Sequence, residues 1–249
     1  MTKLLCENCG LIYFSPLVSG GNDFYSNLAM QEWYYLHEDK TEFKYSNTYI
    51  QKNDSVLDIG SGRGEFTKHI DKSISYTGLE LSTKAVEYAQ KENINVIEGT
   101  IEDYSIKNKN KHDVVVSFQV LEHITNINSF VNASIETIKS NGLFIIAVPN
   151  NDSFMKNAQN NLLNLPPHHL IHWSEKSLTF LANKYNLDII NVYKEQVTNV
   201  HKNWYYSTIF SKFFRDTLNR KTSSINMNFF DKVIQKIASL FARVINFTN

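Results

Sequence analysis

The sequence is poor in cysteine and has no net charge, and each feature excludes a class of protein. Only two cysteines occur in 249 residues, Cys6 and Cys9, too few and too close together for the disulfide framework of a small secreted protein. Lysine and arginine number 25, as do aspartate and glutamate, so the overall charge gives no argument for nucleic acid as a partner. We therefore expect a reducing, cytoplasmic location.

Long apolar runs are also missing. No window reaches the ~18 apolar residues that a membrane span requires, and the amino terminus lacks the continuous apolar region of a signal peptide. The hydrophobic content of 42% nevertheless suffices for one substantial core. The sequence therefore predicts one domain with additions, either soluble or peripheral at the inner face of a membrane.

Apolar strands alternate with amphipathic helices through the middle of the chain, a pattern typical of an α/β fold with a Rossmann-like, doubly wound and mostly parallel sheet. We predict a core over residues 51–200, preceded by an N-terminal cap over 1–50 and followed by a basic, aromatic-rich helical extension over 201–249. The predicted strands are 56–59, 76–81, 95–97, 113–118, 143–148 and 187–193, and the predicted helices are 65–70, 82–90, 127–139 and 174–185.

A glycine-rich turn follows the first predicted strand. Asp58 ends this strand, the glycines of the turn stand at 60, 62 and 64, and Glu80 lies at the end of the second strand. A dinucleotide fingerprint would need its third glycine at position 65, and an aspartate at this point disfavours a pyrophosphate. A cofactor with a cationic amino acid tail suits the turn better, although a purely structural turn between strand and helix is the alternative.

The turn resembles the first motif of the class I S-adenosylmethionine-dependent methyltransferases, D-x-G-x-G-x-G. The resemblance implies that Asp58 serves the methionine ammonium end and that Glu80 bonds both ribose hydroxyls. It also implies that the adenine lies against the segment after the third strand. The cofactor-binding residues expected from the resemblance are Asp58, Gly60, Ser61, Gly62, Gly64, Glu80, Leu81, Ile101, Glu102 and Gln119.

Leu121-Glu122-His123 follow the fourth predicted strand. They resemble the LEH signature of a bacterial, methyltransferase-23-like subgroup that includes ubiquinone-pathway and surface-saccharide enzymes. In this resemblance Gln119 lies against the cofactor and His123 faces the substrate. The alternative is that His123 holds its loop by bonding to the backbone.

Three histidines, His168, His169 and His172, lie between Pro167 and Ser174. Neighbouring prolines and the absence of a nearby Cys or Asp disfavour a metal site, so we predict none. The segment resembles the substrate loop of polysaccharide methyltransferases and of sugar C-methyltransferases, in which one histidine acts as a base. His169 matches that base best, and Pro167 replaces the first histidine of the C-methyltransferase pattern. We predict catalytic roles for His169, His123 and His172.

These resemblances imply an S-adenosylmethionine-dependent methyltransferase that O-methylates a sugar or glycan intermediate of cell-surface polysaccharide biosynthesis. A quinone precursor or a small phenol is the alternative acceptor, and C-methylation of a sugar is a further alternative. A scaffold that binds the cofactor without chemistry is the alternative outside the enzymes.

Both ends of the chain depart from a plain methyltransferase core. Residues 6–16 resemble the second half of a zinc ribbon, but a structural zinc needs four ligands, and the other cysteine pair would lie before residue 1. We expect a hairpin there, or one metal shared by two chains.

The C-terminal segment carries seven Lys/Arg against two Asp from residue 204 onwards. It predicts an amphipathic helix that packs on its own domain, on a second subunit in a homodimer, or on a membrane interface. The apolar stripe consists of Phe229, Phe230, Val233, Ile234, Ile237, Leu240, Phe241, Val244 and Ile245.

Overall fold

A computed structural model describes residues 1–29, 40–158, 161–220 and 227–247 of the chain. The chain divides into two compact units. The first comprises residues 1–2 and 14–149, and the second comprises residues 3–13 and 150–249. The division of the chain into cap, core and extension stays a prediction.

Strands and helices alternate along the described residues. The strands are β1 (Thr2–Leu5), β2 (Ile12–Ser15), β3 (Ser55–Ile59), β4 (Ser75–Glu80), β5 (Val96–Glu98), β6 (His112–Phe118), β7 (Ile138–Ala147) and β8 (Ile171–His172). The helices are α1 (Asn22–Ala29), α2 (Thr41–Asn47), α3 (Thr83–Lys91), α4 (Ile101–Lys107), α5 (Ile127–Thr137), α6 (Glu175–Lys184), α7 (Asn199–Thr217) and α8 (Phe229–Phe247).

The first unit is built on a five-stranded parallel sheet in the order β5-β4-β3-β6-β7. Its central strands are buried on both faces, as the apolar run 114–116 predicts, because helices cover both sides of such a sheet. Phe43, Phe66 and Phe118 meet on one side, with ring centroids 5.0 to 5.3 Å apart. The predicted Rossmann-like fold is confirmed, and the carboxyl ends of its strands share one edge.

Short polar residues begin several helices of this unit. The Thr100 hydroxyl accepts a hydrogen bond from the Asp103 amide at 3.1 Å, and the Asn126 side chain accepts one from the Ser129 amide at 3.1 Å. Each satisfies an amide that would otherwise lack a partner in the first turn. The helices α4 and α5 therefore begin directly after these two capping residues.

Two segments of the first unit differ from the sequence-based expectation. The helix predicted over 65–70 is a 3-10 helix, Glu65–His69. The helix predicted to run to residue 139 ends at Thr137, and β7 already begins at Ile138. The pairing with β6 shifts register there, from His112 opposite Ile138 to Val114 opposite Leu143, and Asn141 within this irregularity has a left-handed φ of 63°. Helical spacing in 127–139 continued into a segment that pairs with β6.

The second unit contains a small sheet in the order β1-β2-β8, in which Ile12 stands opposite His172. A tight turn joins β1 to β2, with the Gly10 amide donating to the Cys6 carbonyl at 2.8 Å. The expected hairpin is therefore present, and both cysteines are free thiols.

Helices make up most of the second unit. Ser174 caps α6: its side chain accepts a hydrogen bond from the Ser177 amide. The strand expected over 187–193 is wrong, since these residues form no strand. An apolar segment becomes a strand only where another strand can pair with it. Helices α7 and α8 pack against each other. None of the helices in the described ranges has the length and apolar character needed to cross a membrane.

Candidate active site

The glycine-rich turn of the first unit folds back tightly at the carboxyl end of β3. Gly60, Gly62 and Gly64 all have left-handed φ values, 73°, 57° and 79°. A β-carbon on Gly60 would lie 2.3 Å from a methyl group of Val120, and one on Gly64 would lie 2.7 Å from a methyl group of Ile94. Only glycine meets both the conformational and the steric demand at these two positions.

Asp58 lies beneath this turn. Its side chain is only 2% exposed, and the Tyr76 hydroxyl donates a hydrogen bond of 2.8 Å to its Oδ2 atom. Burial raises the pKa of Asp58 to about 7, although the Tyr76 hydrogen bond opposes the rise. The carboxyl group is therefore balanced between its neutral and ionised forms near neutrality, where a nearby cation would favour the ionised form.

Glu80 ties the end of β4 to the glycine turn. Its Oε2 atom accepts a hydrogen bond from the Gly62 amide at 2.9 Å, and its Oε1 atom accepts from the amides of Leu81 and Ser82, both at 2.8 Å. The carboxylate is thereby fixed between two chain segments at the sheet edge. Its bonding to ribose hydroxyls stays a prediction.

The remaining residues expected to bind the cofactor follow the ends of β4, β5 and β6. Leu81 is exposed directly after β4, Ile101 is buried at the start of α4, and Glu102 is partly exposed beside it. The Gly99 amide donates to the Glu80 carbonyl at 3.1 Å, which joins the ends of β4 and β5. The structure thus brings all ten predicted cofactor residues to the carboxyl edge of one sheet.

Gln119 has an unusual backbone at the same edge. Its φ is 57°, a left-handed value that costs a non-glycine residue about 1 kcal/mol or more, and its amide donates to the Ala147 carbonyl at 2.8 Å. The side chain is exposed. Strain of this kind gathers at functional sites. A contact between Gln119 and the cofactor stays a prediction.

Glu122 is a residue of this region to which the sequence-based prediction assigned no role. It is 1% exposed, and burial raises its pKa to about 8. Its Oε1 atom lies 3.9 Å from the Nε2 atom of His123, and the Tyr25 ring stands edge-on to the His123 ring at 6.0 Å. A buried carboxyl beside a histidine is a feature of functional sites, and the LEH motif itself was the signal for it.

The other two candidate catalytic histidines lie in the second unit, where both contact Asn164. The His169 Nδ1 atom donates to the Asn164 side-chain oxygen at 2.9 Å, and the His172 Nε2 atom donates to the Asn164 carbonyl at 2.7 Å. His172 is buried in β8, and burial lowers its pKa. His168 stacks on His169 with ring centroids 4.7 Å apart. The hydrogen bond to Asn164 leaves Nε2 of His169 as the nitrogen that can accept a proton.

The residues at the sheet edge fit S-adenosylmethionine. A buried carboxyl and a second carboxyl flank a glycine turn that leaves no room for a β-carbon at Gly60. Two acidic groups favour a ligand with a positive charge over a pyrophosphate. A sulfonium and an ammonium group supply such charge.

Comparison with known proteins agrees with this fit. The model of a family described as methyltransferase domain matches residues 35–192. Among solved structures, the fold is similar to that of an S-adenosylmethionine-dependent methyltransferase from Archaeoglobus fulgidus, with a TM-score of 0.56 and 17% identity over 86% of this chain and 94% of that one. A possible histamine N-methyltransferase from Thermotoga maritima gives a TM-score of 0.52 at 18% identity, over 66% of this chain and 77% of the other.

Two curated relatives are ubiquinone biosynthesis O-methyltransferases. The protein from Pelagibacter ubique is 30% identical over 104 residues, or 40% of this chain and 43% of the relative. The protein from Rickettsia prowazekii is 33% identical over 102 residues, or 38% of this chain and 40% of the relative. The chain thus spans less than half the length of these relatives. The family match covers more than half of the chain: the chain belongs to the methyltransferase domain family, with S-adenosylmethionine as its cofactor.

Proposed function

We propose that the protein transfers a methyl group from S-adenosylmethionine to a hydroxyl oxygen of a small-molecule acceptor. The observation that carries the proposal is the sheet edge of the first unit, where Asp58, the glycine turn and Glu80 meet in a chain of the methyltransferase domain family. When bound, the cofactor supplies an activated methyl group on a sulfonium. The protein has to hold the cofactor, align the acceptor oxygen and remove its proton.

The residues of the first unit serve cofactor binding in this proposal. The ionised Asp58 carboxylate attracts the positively charged end of the cofactor, and the glycine turn lets the backbone approach it. The Glu80 carboxylate, already oriented by three backbone amides, is placed to accept hydrogen bonds from ribose hydroxyls. Water exclusion and orientation are the larger part of the catalytic effect, because the donor is already reactive.

His169 is the proposed base. When the bound cofactor supplies its methyl group, the His169 Nε2 atom would accept the proton that leaves the acceptor hydroxyl. Asn164 supports this role, because its side-chain oxygen accepts from Nδ1 and thereby favours the tautomer in which Nε2 is the basic nitrogen. His172 has the opposite tautomer, since its Nε2 atom donates to a carbonyl group and its basic nitrogen is the buried Nδ1.

Two acceptor classes follow from different observations. The histidine loop over 167–174 favours a sugar or glycan hydroxyl, on its resemblance to saccharide methyltransferases. The names of the relatives from Pelagibacter and Rickettsia favour a quinone precursor or a small phenol. A phenol ionises more readily than a sugar hydroxyl, so it depends less on a base. The two classes therefore differ in how strongly the reaction should need His169.

The experiment that tests the proposal is incorporation of label from methyl-labelled S-adenosylmethionine into two acceptor panels, one of nucleotide sugars and saccharides and one of phenols. His169→Ala should lower turnover at least about 100-fold with a saccharide and less with a phenol, while cofactor affinity stays within about twofold. His201→Ala is the matched control, because His201 is an exposed histidine on α7. Cofactor binding without transfer to any acceptor, in a panel or in a lysate, would favour an inactive scaffold instead.

A further inference from the structure

The apolar stripe of α8 is only partly covered. Ile234 and the small residues Ala238 and Ala242 are buried on one side of this helix. The larger side chains one third of a turn away are exposed, with Phe229 at 75% and Leu240 at 56%. The exposed members of the stripe are Phe229, Phe230, Val233, Ile237, Leu240 and Phe241, which we call the apolar face of α8. An apolar surface of this length normally contacts another molecule.

Ring contacts extend this face onto α7. Phe241 lies 5.9 Å from Phe210 and 6.2 Å from Phe214, and Phe214 lies 5.8 Å from Phe213, measured between ring centroids. Phe213 is itself 61% exposed. The aromatic surface therefore continues across both helices of the second unit rather than ending at one of them.

Basic residues accompany the aromatic residues. The Arg220 guanidinium lies 4.8 Å from the centroid of the Phe230 ring, where the two helices approach their connection. Lys232 and Lys236 are exposed, and each stands one position before an apolar residue of the face, so the lysines form a row along its side. Asp231, the acidic residue of α8, is 2% exposed and accepts a hydrogen bond from the Asn228 amide. The described surface of α8 thus presents positive charge only.

An open groove beside the apolar face could hold an anionic group. Its volume is about 380 Å³. Its lining includes two lysines, two serines and one glutamine, and Leu240 belongs both to the groove and to the apolar face. The groove is lined by Ser207, Lys232, Gln235, Lys236, Ser239 and Leu240. Ammonium and hydroxyl donors around a small concavity suit a phosphate.

We propose that α7 and α8 dock on the surface of an anionic phospholipid bilayer. The apolar face enters the boundary between headgroups and acyl chains, and the groove takes a lipid phosphate. Charge decides between this occupant and a second copy of the chain. A second copy would bring another row of lysines of the same sign against the first in an isologous contact, whereas an anionic bilayer supplies the opposite charge. The proposal does not depend on which acceptor is methylated.

The test is sedimentation of the full chain with two kinds of vesicle, phosphatidylcholine alone and phosphatidylcholine mixed with phosphatidylglycerol. We expect binding to the anionic vesicles and little to the neutral ones, with binding reduced at high salt. Lys232→Gln with Lys236→Gln should weaken binding about fivefold for each lysine. Phe229→Ser with Leu240→Ser should abolish it. Lys84→Gln with Lys91→Gln, two exposed lysines of α3, removes the same charge elsewhere and should leave binding unchanged.

Three outcomes would overturn the proposal. The first is wild-type protein that stays in the supernatant with both vesicles. The second is equal binding of the α3 and α8 lysine variants, which would make the attraction nonspecific. The third is a wild-type dimer, detected by light scattering, that the serine variant dissociates while vesicle binding is absent, which would assign the apolar face to a second copy. The lysine variants change exposed residues only, so their result stands even if the serine variant fails to fold.

Discussion

The Tyr76 hydroxyl donates a hydrogen bond of 2.8 Å to the buried carboxylate of Asp58, across the neighbouring strands β4 and β3. Burial raises the pKa of Asp58 to about 7, and the hydrogen bond limits that rise. The residue predicted to attract the cationic end of the cofactor thus changes its charge near neutrality. Cofactor affinity should therefore depend on pH through this one group.

We expect S-adenosylmethionine to bind more weakly as pH falls below about 7, by up to tenfold per pH unit, because the neutral Asp58 carboxyl must lose its proton before it can attract a cation. Asp58→Asn should bind weakly at every pH and lose this dependence. Titration calorimetry between about pH 5.5 and 7.5 measures both effects. A wild-type affinity that does not change with pH would show that the protonation state of Asp58 does not control cofactor binding.

Tyr76→Phe should move the same pH profile upward. The Tyr76 hydrogen bond lowers the pKa of Asp58, so its loss raises that pKa further and shifts the midpoint of cofactor affinity to higher pH. At high pH the variant and the wild type should converge, since Asp58 is ionised in both. A variant that is weaker by the same factor at all pH values would instead indicate a lost packing contact.

Gly60→Ala should abolish cofactor binding and destabilise the first unit. Its φ of 73° costs an alanine about 1 to 2 kcal/mol, and the new methyl group would stand 2.3 Å from Val120. Gly21→Ala is the matched control, because a β-carbon there meets nothing within 4 Å. Thermal unfolding and cofactor titration of both variants make the comparison. Equal effects of the two substitutions would contradict the role given to the turn.

Glu122 should make the protein less stable in alkaline solution. Its pKa is about 8 in the folded protein against 4.5 as the ordinary value, so stability present at low pH is lost as pH rises through 8. His112 acts in the opposite sense, since burial lowers its pKa from 6.5 to about 4, but its effect is complete at about pH 6.5. Above that pH the Asp58 contribution ends at about 7, and Glu122 dominates.

We therefore expect the free energy of unfolding to fall by about 2 kcal/mol between about pH 6.5 and 8.5. Glu122→Gln should remove most of this fall, since an amide does not titrate. Urea unfolding at the two pH values measures the difference. A wild-type protein equally stable at both would contradict the neutral state of the buried carboxyl.

Local signals in the sequence were enough for much of the fold. Local sequence restricts the backbone at the valine run 114–116, at the glycine turn after Asp58 and at Ser174, which caps α6. The parallel sheet and the position of the candidate site at its carboxyl edge could therefore be predicted. The predictions failed where the secondary structure of a segment depends on pairing with residues that are distant in the sequence. The segment 187–193 forms no strand in the structure, and β7 starts early because Ile138 pairs with His112 of β6.

The site shows the same division between local and distant signals. Asp58 and Glu80 were predicted from their positions at strand ends, and the structure places both at the carboxyl edge. Tyr76, which donates the hydrogen bond to Asp58, lies 18 residues further along the chain. The burial of Glu122 depends on tertiary packing that no local sequence pattern encodes. Such contacts become visible only after the strands are placed side by side.

The central claim is that the glycine turn and its two acidic residues hold S-adenosylmethionine. Calorimetric titration of the cofactor into the wild-type protein and the Gly60→Ala and Gly21→Ala variants at about pH 7.5 tests it most directly. The account predicts one bound cofactor per chain for the wild type and Gly21→Ala, and none for Gly60→Ala. Absence of binding to the wild type, or undiminished binding to Gly60→Ala, would contradict it.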